Sequence, residues 1–233
     1  MKKFIRLAVV AVIVCAMVLT AKACGCSKDK ETEGIPSKVQ KIHDPIEYAI
    51  DANGNSVVAL YKSTMDANEQ GEVVIEESFQ DKPVVGIIEG AFAGNSGITK
   101  VTMPKTVEYI DRMAFRGCSS LATVNLPDSV KTIGDAAFMF TAIKEVTLTN
   151  VETIGAMAFA NNVKLEKLTI KGNVTRLENI VEGASKLKEL HLPATITEIA
   201  EDFTIPQNAK IYTPDNSVVI DYCIVNGINY EIV

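Results

Sequence analysis

The side chains that most often carry catalysis or bind metal ions are scarce in this sequence. Of its 233 residues, only two are histidines and five are cysteines. Zinc sites favour paired C-x-x-C or H-E-x-x-H patterns, and the sequence contains neither. His191 lies between two leucines, so on a strand its side chain points away from the core; His43 stands outside any such pattern. We therefore predict a protein that is not an enzyme, with no catalytic residues, no metal site and no cofactor.

The other residues that could do chemistry have simpler structural explanations. Cys118 and Cys223 lie far apart in the sequence, and we interpret them as small buried apolar residues. Asp51, Asn53 and Asn55 resemble the start of a calcium loop, but the downstream glutamate of such a loop is missing. The Asn-Gly pair inside this segment instead predicts the turn of a β-hairpin.

Charge excludes two classes of partner. The formal net charge is −6, and residues 1–23 contain four basic side chains and no acidic one. The other residues therefore carry a net charge of −10, the difference between −6 and +4. Nucleic acids and anionic membranes attract basic surfaces. We predict no nucleic-acid partner, and membrane contact only through a possible lipid anchor.

The first residues have the composition of an export signal. Three basic residues precede an uncharged apolar stretch at 7–21, which is shorter than the roughly 20 residues that a membrane-spanning helix needs. We predict a signal peptide over 1–23 and a flexible charged tether over 24–41. Three alternatives stay open: secretion after cleavage, an uncleaved anchor helix, or a lipoprotein acylated at Cys26 or Cys24.

A repeat dominates the remainder of the chain. The unit V-x-x-I-x-x-x-A-F occurs four times, and its phenylalanines are separated by 23, 23 and 21 residues. A second pattern, L-x-x-V-x-L-P, follows each copy with some substitution. Helical bundles would show periods near 3.5 or 3.6 residues instead. The repeat therefore predicts a solenoid, in which each coil packs against its neighbours.

The two patterns predict what each coil contributes. In V-x-L, two apolar residues flank a polar one, as in a strand with one buried face, and the proline ends the strand. Ala-Phe places one ring per coil inside, so stacked coils should align a structural spine of Phe92, Phe115, Phe138 and Phe159. Two later units are degraded: we expect Val181-Glu182 where Ala-Phe should be in the fifth, and a displaced Phe203 in the sixth.

These repeats resemble the BspA-like (Treponema pallidum-type) leucine-rich repeats, and Val107 to Pro127 shows the unit most clearly. The resemblance covers about residues 73–233. It implies a leucine-rich-repeat solenoid that is β-rich with short helical or 3-10 turns. It also implies that the protein is exported, and either stays on the bacterial cell surface or is secreted. We expect five to six coils of about 23 residues, with an N-terminal β cap over 42–80, repeats over 81–209 and a C-terminal cap over 210–233.

Local signals fill in the two caps. Glu47 to Ile50 and Val57 to Leu60 read as the strands of a hairpin around Asn53-Gly54. In the C-terminal cap we predict a short helix over 217–225, ended by Asn226-Gly227, and a final strand over 228–233.

Outward residues of the x-V-x-L strands form two columns across the predicted sheet. One column is Lys100, Thr123, Glu145, Lys167 and Glu189, and the other is Thr102, Asn125, Thr147, Thr169 and His191. Repeat proteins often bind partners on such a face, and the resemblance implies adhesion to an extracellular protein or glycan, including host matrix. The same columns suit a face that only keeps the protein soluble. We hypothesise a non-catalytic binding module; a structural spacer or self-association module of the envelope is the alternative.

Overall fold

The computed structural model describes residues 46–61 and 71–233. These residues form a β-solenoid of about seven turns with little helix, in agreement with the predicted leucine-rich-repeat architecture. The predicted signal peptide and tether, together with Cys24, Cys26 and His43, lie outside the described residues, so those hypotheses stay predictions. Among the described residues, no helix has the length and apolarity needed to cross a bilayer.

The chain enters the solenoid through a hairpin. Strands β1 (Ile46–Ile50) and β2 (Ser56–Tyr61) pair antiparallel, as predicted. Asp51 closes the loop between them, because its Oδ1 accepts hydrogen bonds from the backbone N–H groups of Asn53 and Asn55 at 2.9 and 2.8 Å. The carboxylate that resembled a calcium ligand therefore caps a turn.

Each coil contributes one strand to each side of the solenoid, and with one exception these strands have two residues on the short-strand side and three to five on the long-strand side. The short-strand side contains β5 (Lys82–Ile87), β7 (Tyr109–Ile110), β9 (Thr132–Ile133), β11 (Thr153–Ile154), β13 (Arg176–Leu177) and β15 (Glu198–Ile199). The long-strand side contains β3 (Gly71–Val74), β6 (Ile98–Thr102), β8 (Thr123–Asn125), β10 (Glu145–Leu148), β12 (Lys167–Ile170), β14 (Glu189–His191) and β16 (Lys210–Thr213). A further strand, β4 (Ser78–Phe79), pairs antiparallel with β5.

Strands from successive coils pair in parallel. On the short-strand side there are two sheets, with the strand orders β1-β2-β5-β7-β9-β11 and β13-β15. On the long-strand side there are also two sheets, β3-β6-β8 and β10-β12-β14-β16-β17, the last strand being β17 (Tyr230–Ile232). The solenoid has more turns than the five to six predicted because β3 and β16, which fall in the predicted caps, stack as further coils.

The C-terminal end is covered by helix α1 (Ser217–Asn226). Its N-cap is Asn216, whose side chain accepts hydrogen bonds from the first turn, and Gly227 ends the helix in a left-handed conformation with φ 64°. The helix packs Val219 and Cys223 into the core. The predicted helix and its Asn-Gly stop are confirmed within one residue.

The core contains a column of phenylalanine rings. Centroids of Phe92, Phe115, Phe138 and Phe159 are separated by 4.7, 5.2 and 5.4 Å, and neighbouring rings lie within 10° of parallel. All four side chains are fully buried. Their separations are close to the spacing of roughly 4.7–4.9 Å between paired strands, so the rings stack in step with the strands on either side.

The fifth coil joins this column one residue earlier in the sequence than predicted. The backbone N–H of Phe138 donates to the carbonyl of Ala158, and the N–H of Phe159 donates to the carbonyl of Ile180, both at 2.8 Å. Ile180 therefore takes the place of the repeat alanine, and Val181 takes the place of the phenylalanine. The prediction of Val181-Glu182 at these positions is wrong, because this coil is shorter by one residue.

The same loss of one residue, between the short strand and the residue that enters the column, explains the sixth coil as well. Leu177 and Ile199 pair in register on β13 and β15, and Phe203 follows Ile199 by the same four positions that separate Val181 from Leu177. Phe203 is buried at 2% exposure. It is displaced by one position relative to the phenylalanines of the first four coils, as expected, and it still faces the core.

Each coil turns after its spine residue through a backbone in the left-handed region. Gly94 and Gly117 occupy this position with φ near 75° and 77°, but the third coil places Phe140 there with φ 61°. A non-glycine residue in this conformation costs roughly 1–2 kcal/mol. The Phe140 side chain is nevertheless 44% exposed, so core packing explains little of its presence.

The phenylalanine column predicts a large effect of one substitution. Phe115→Ala should lower the free energy of unfolding by about 3–5 kcal/mol, because its ring is buried between those of Phe92 and Phe138. Chemical denaturation followed by circular dichroism measures the loss. Phe140→Ala, the same change at a half-exposed ring, is the control and should cost less than about 1 kcal/mol. Equal losses would contradict the role of the column.

The turn geometry predicts the opposite effect at Phe140. Phe140→Gly should raise the free energy of unfolding by about 0.5–1 kcal/mol, because glycine removes the left-handed strain at some cost in chain entropy. The same denaturation experiment tests this, with Phe140→Ala as the comparison that keeps the strain. A glycine variant less stable than the alanine variant would contradict the assignment.

Candidate binding face

The long strands do not form one continuous sheet. β8 pairs only with β6, and β10 pairs only with β12. The third coil is one residue short here, since Phe138 precedes Ile143 by five positions whereas Phe115 precedes Leu121 by six. Instead of continuing the ladder, the backbone N–H of Ala142 donates to the carbonyl of Leu121 at 2.9 Å. The prediction that both columns cross a single sheet is therefore wrong at this point.

The first part of the face is carried by β6 and β8. These strands hold Lys100, Thr102, Thr123 and Asn125 in register. Lys100 forms an ion pair with Glu72 at 3.3 Å. Asn125 ties two coils together, because its Oδ1 accepts a hydrogen bond from the backbone N–H of Met103 at 2.8 Å. On this part of the face, two of the four predicted residues therefore serve coil-to-coil contacts.

The second part of the face continues over four strands. It aligns Glu145, Lys167, Glu189 and Lys210 in one column and Thr147, Thr169, His191 and Tyr212 in the other. Next to the break between β8 and β10, the outward residues Thr123, Asn125, Glu145 and Thr147 are exposed, whereas their predicted counterparts on the other strands are half-buried. This difference follows from the missing neighbour strand on one side.

Charged residues of the second part are linked through Glu189. Its Oε2 lies 2.6 Å from Nζ of Lys167 and 3.1 Å from Nε2 of His191. The hydrogen bond from Lys167, followed by that from His191, lowers the pKa of the Glu189 carboxyl. These side chains are substantially solvent-exposed, so the Lys167–Glu189 pair contributes little to stability. Its larger effect is to orient the side chains around His191.

An aromatic pair stands at the C-terminal end of the face. The rings of His191 and Tyr212 are stacked, with centroids 4.4 Å apart and planes 7° from parallel. Nζ of Lys210 lies 5.2 Å from the centroid of the Tyr212 ring. Sequence reasoning missed Tyr212 because it was assigned to the cap. The segment Ile211 to Pro214 repeats the spacing of Leu190 to Pro193, and that match could have identified it.

Two cavities lie where long strands end. The aromatic cavity, of about 420 Å³, is bordered by the His191–Tyr212 pair and by Thr169, Lys171, Asn173, Pro193 and Pro214 among others. The proline cavity, of about 830 Å³, lies beside the ends of β6 and β8, in the first part of the face. It is bordered by Met103, Pro104, Lys105, Asn125, Pro127 and neighbouring polar residues. No aromatic side chain lines the proline cavity.

A third surface feature, the turn patch, lies in the turns on either side of the phenylalanine column. Its exposed side chains are Phe140 and Met157, each 44% exposed. Phe140 borders a groove of about 450 Å³ whose other walls include Gly94, Gly117 and Arg116. The sequence signal was the aromatic residue at a position where three other coils have glycine and the fourth has Asn161.

The buried thiols are poorly suited to nucleophilic chemistry. Burial raises the pKa of Cys118 to about 12 and that of Cys223 to about 11, so neither forms much thiolate at neutral pH. The Cys118 thiol donates to the carbonyl of Phe92 at 3.1 Å. Within residues 46–61 and 71–233, no three His, Cys, Asp or Glu side chains are grouped as metal ligands.

This environment predicts slow labelling of both thiols. In the native protein at neutral pH, Cys118 and Cys223 should resist a thiol-specific alkylating reagent, because both are buried and mostly protonated. Peptide mass mapping after a timed pulse measures each site separately. The same pulse in denaturant is the control and should label both. Fast native labelling of Cys118 would contradict its assignment to the core.

Parallel strands on two sides, tight turns and an interior ring column define a leucine-rich-repeat solenoid. The family model for the BspA type leucine rich repeat region matches residues 86–207 in six copies. The chain therefore belongs to the BspA-type leucine-rich-repeat family, and the resemblance drawn from its repeats is confirmed.

Two solved structures are similar to this chain in fold. The leucine rich repeat protein of T. pallidum, TpLRR, matches with a TM-score of 0.55 and 21% identity over 83% of this chain and 99% of that one. The pneumococcal vaccine antigen PcpA matches with a TM-score of 0.61 and 21% identity over 83% of this chain. The match covers 49% of PcpA, so this chain spans about half its length. No curated protein sequence matches the chain.

Proposed function

We propose that this chain is an exported bacterial module, on the cell surface or secreted, that binds an extracellular protein or glycan and catalyses no reaction. The observation that carries the proposal is the second part of the long-strand face, where outward side chains from four paired strands are held in register beside an aromatic pair. Leucine-rich-repeat solenoids typically serve as binding scaffolds.

The rigidity of the face supports this role. Each strand carrying an outward residue is anchored by buried neighbours, such as Leu168 and Leu190 at 0% exposure. A surface held in one conformation loses little entropy when a partner binds. Of the outward residues, Tyr212 and His191 supply the broad, partly apolar contact area that binding sites favour.

Export is the second element of the proposal. It rests on the signal-like residues 1–23. One structural neighbour, PcpA, is described as a vaccine antigen. Anchoring through Cys26 or Cys24 would fix the module to a membrane, whereas cleavage alone would release it; both arrangements expose the face outside the cell.

The alternative proposal is a structural spacer or self-association module of the envelope. The turn patch favours it, since Phe140 keeps an exposed ring at the expense of backbone strain. Exposed apolar side chains of this kind are typical of protein contacts. In this alternative the polar face only keeps the array soluble.

Binding assays separate the two proposals. The purified protein should bind at least one member of a panel of immobilised host extracellular-matrix proteins and glycans. The combined variant Lys167→Ala, His191→Ala and Tyr212→Ala should weaken that binding at least about tenfold, because it removes the central contacts of the face. Surface plasmon resonance gives the affinities, and thermal unfolding shows whether the variant is folded.

A matched variant on the opposite side provides the control. Thr132→Ala, Thr153→Ala and Glu198→Ala change exposed residues of the short strands and should leave binding unchanged. Binding that survives the face variant would exclude this face as the site. If no panel member binds, while sedimentation shows self-association that Phe140→Ser abolishes, the spacer proposal replaces the binding proposal.

A further inference from the structure

The residue that follows each long strand varies, and at the aromatic cavity it is a lysine. Long strands in four coils are followed by proline, at Pro104, Pro127, Pro193 and Pro214. The fourth coil has Lys171 at this position, and Lys171 borders the aromatic cavity. The repeat does not require a lysine there, because four other coils have proline at this position and the preceding coil has Thr149.

Lys171 brings an uncompensated positive charge to the cavity. It is exposed, and it forms no ion pair within residues 46–61 and 71–233. The other lysines nearby are already matched, since Lys167 pairs with Glu189 and Lys210 pairs with Glu231 at 2.5 Å. A ligand carboxylate would meet a single free ammonium group at this rim and form a charge-assisted hydrogen bond with it.

The remaining lining is a mixture of apolar walls and free polar groups. His191, Tyr212, Pro193 and Pro214 offer ring surfaces, and Thr169 and Asn173 add a hydroxyl and an amide. Neither polar side chain forms a hydrogen bond within the described part of the chain. The hydroxyl of Thr195, in contrast, is already used, since it donates to the carbonyl of Val174 at 2.7 Å. A sugar ring presents C–H surfaces to such walls and hydroxyl groups to such donors and acceptors.

The strands beneath the cavity disfavour an extended peptide as the ligand. β12, β14 and β16 are paired on both sides, so none of these three strands has a free edge to pair with a peptide backbone. Recognition has to come from side chains. The volume of about 420 Å³ lies within the roughly 300–1,000 Å³ typical of small-ligand sites.

From this combination we propose that the aromatic cavity binds an acidic sugar residue of a glycan, with Lys171 contacting the carboxylate and His191 and Tyr212 contacting the ring. The proposal deepens the proposed function and rests on it, because it names the ligand class of the same face. It assigns Lys171 a binding role that the solenoid itself does not need.

Titration of the full chain tests the proposal. The probes are sialyllactose and a glucuronate disaccharide as acidic saccharides, lactose as the neutral saccharide, and a short peptide with one glutamate. At least one acidic saccharide should bind about tenfold more tightly than lactose. Lys171→Gln should abolish this preference and leave lactose binding unchanged, and Lys171→Arg should restore most of it.

Further variants separate ring contacts from charge. Tyr212→Ala should weaken both acidic and neutral saccharides, whereas Tyr212→Phe, which keeps the ring, should not. Lys105→Gln is the matched control, because Lys105 borders the proline cavity, which has no aromatic pair; it should change nothing. Isothermal titration calorimetry gives the affinities, and thermal unfolding confirms that each variant is folded.

The possible outcomes are distinct. The inference is overturned if neither acidic saccharide binds more tightly than lactose, if Lys171→Gln leaves the preference intact, or if only the acidic peptide binds. In those cases, binding to the matrix panel through the face would still support the proposed function. If the protein binds neither the panel nor the saccharides, both the inference and the proposed function are refuted.

Discussion

The contact between one coil and the next governs this structure. A single coil has too little interior to bury its apolar residues, so Phe115 becomes buried only because Phe92 and Phe138 cover its two faces. The ring separations of 4.7–5.4 Å suit the distance between paired strands. Ring stacking and strand pairing therefore impose the same step along the array.

This shared step explains which parts of the fold were predictable. Val, Ile, Ala and Phe recur because their positions face inward, so the repeat alone indicated the solenoid, the ring column and the alternation of buried and outward residues. Coil length is a weaker constraint. Loss of one residue before Val181 accompanies a break between β11 and β13 on the short-strand side, whereas loss of one residue before Ile143 accompanies a break between β8 and β10 on the long-strand side. Nothing in the one-dimensional pattern distinguishes these two outcomes.

The candidate site was predictable to a similar degree. Alternation along the strands identified the outward residues, but their neighbours depend on register between coils. His191 looked isolated in the sequence, since its partner Tyr212 lies 21 positions away and was assigned to the cap. Only the parallel pairing of β14 with β16 stacks the two rings. The chemical character of the face, polar with one aromatic pair, is therefore a property of the stacked coils and not of any single repeat.

Because the interior fixes the fold, outward positions are free to change, and departures from the repeat there need another cause. Phe140 replaces a glycine in a left-handed turn and exposes its ring, which lowers stability. Lys171 replaces a proline that ends the strand in four other coils, and it adds a charge with no partner in the described part of the chain. Neither substitution improves packing. Positions where a repeat gives up a residue that suits the fold are therefore the most informative about function in an array of this kind, and here they lie on two different surfaces.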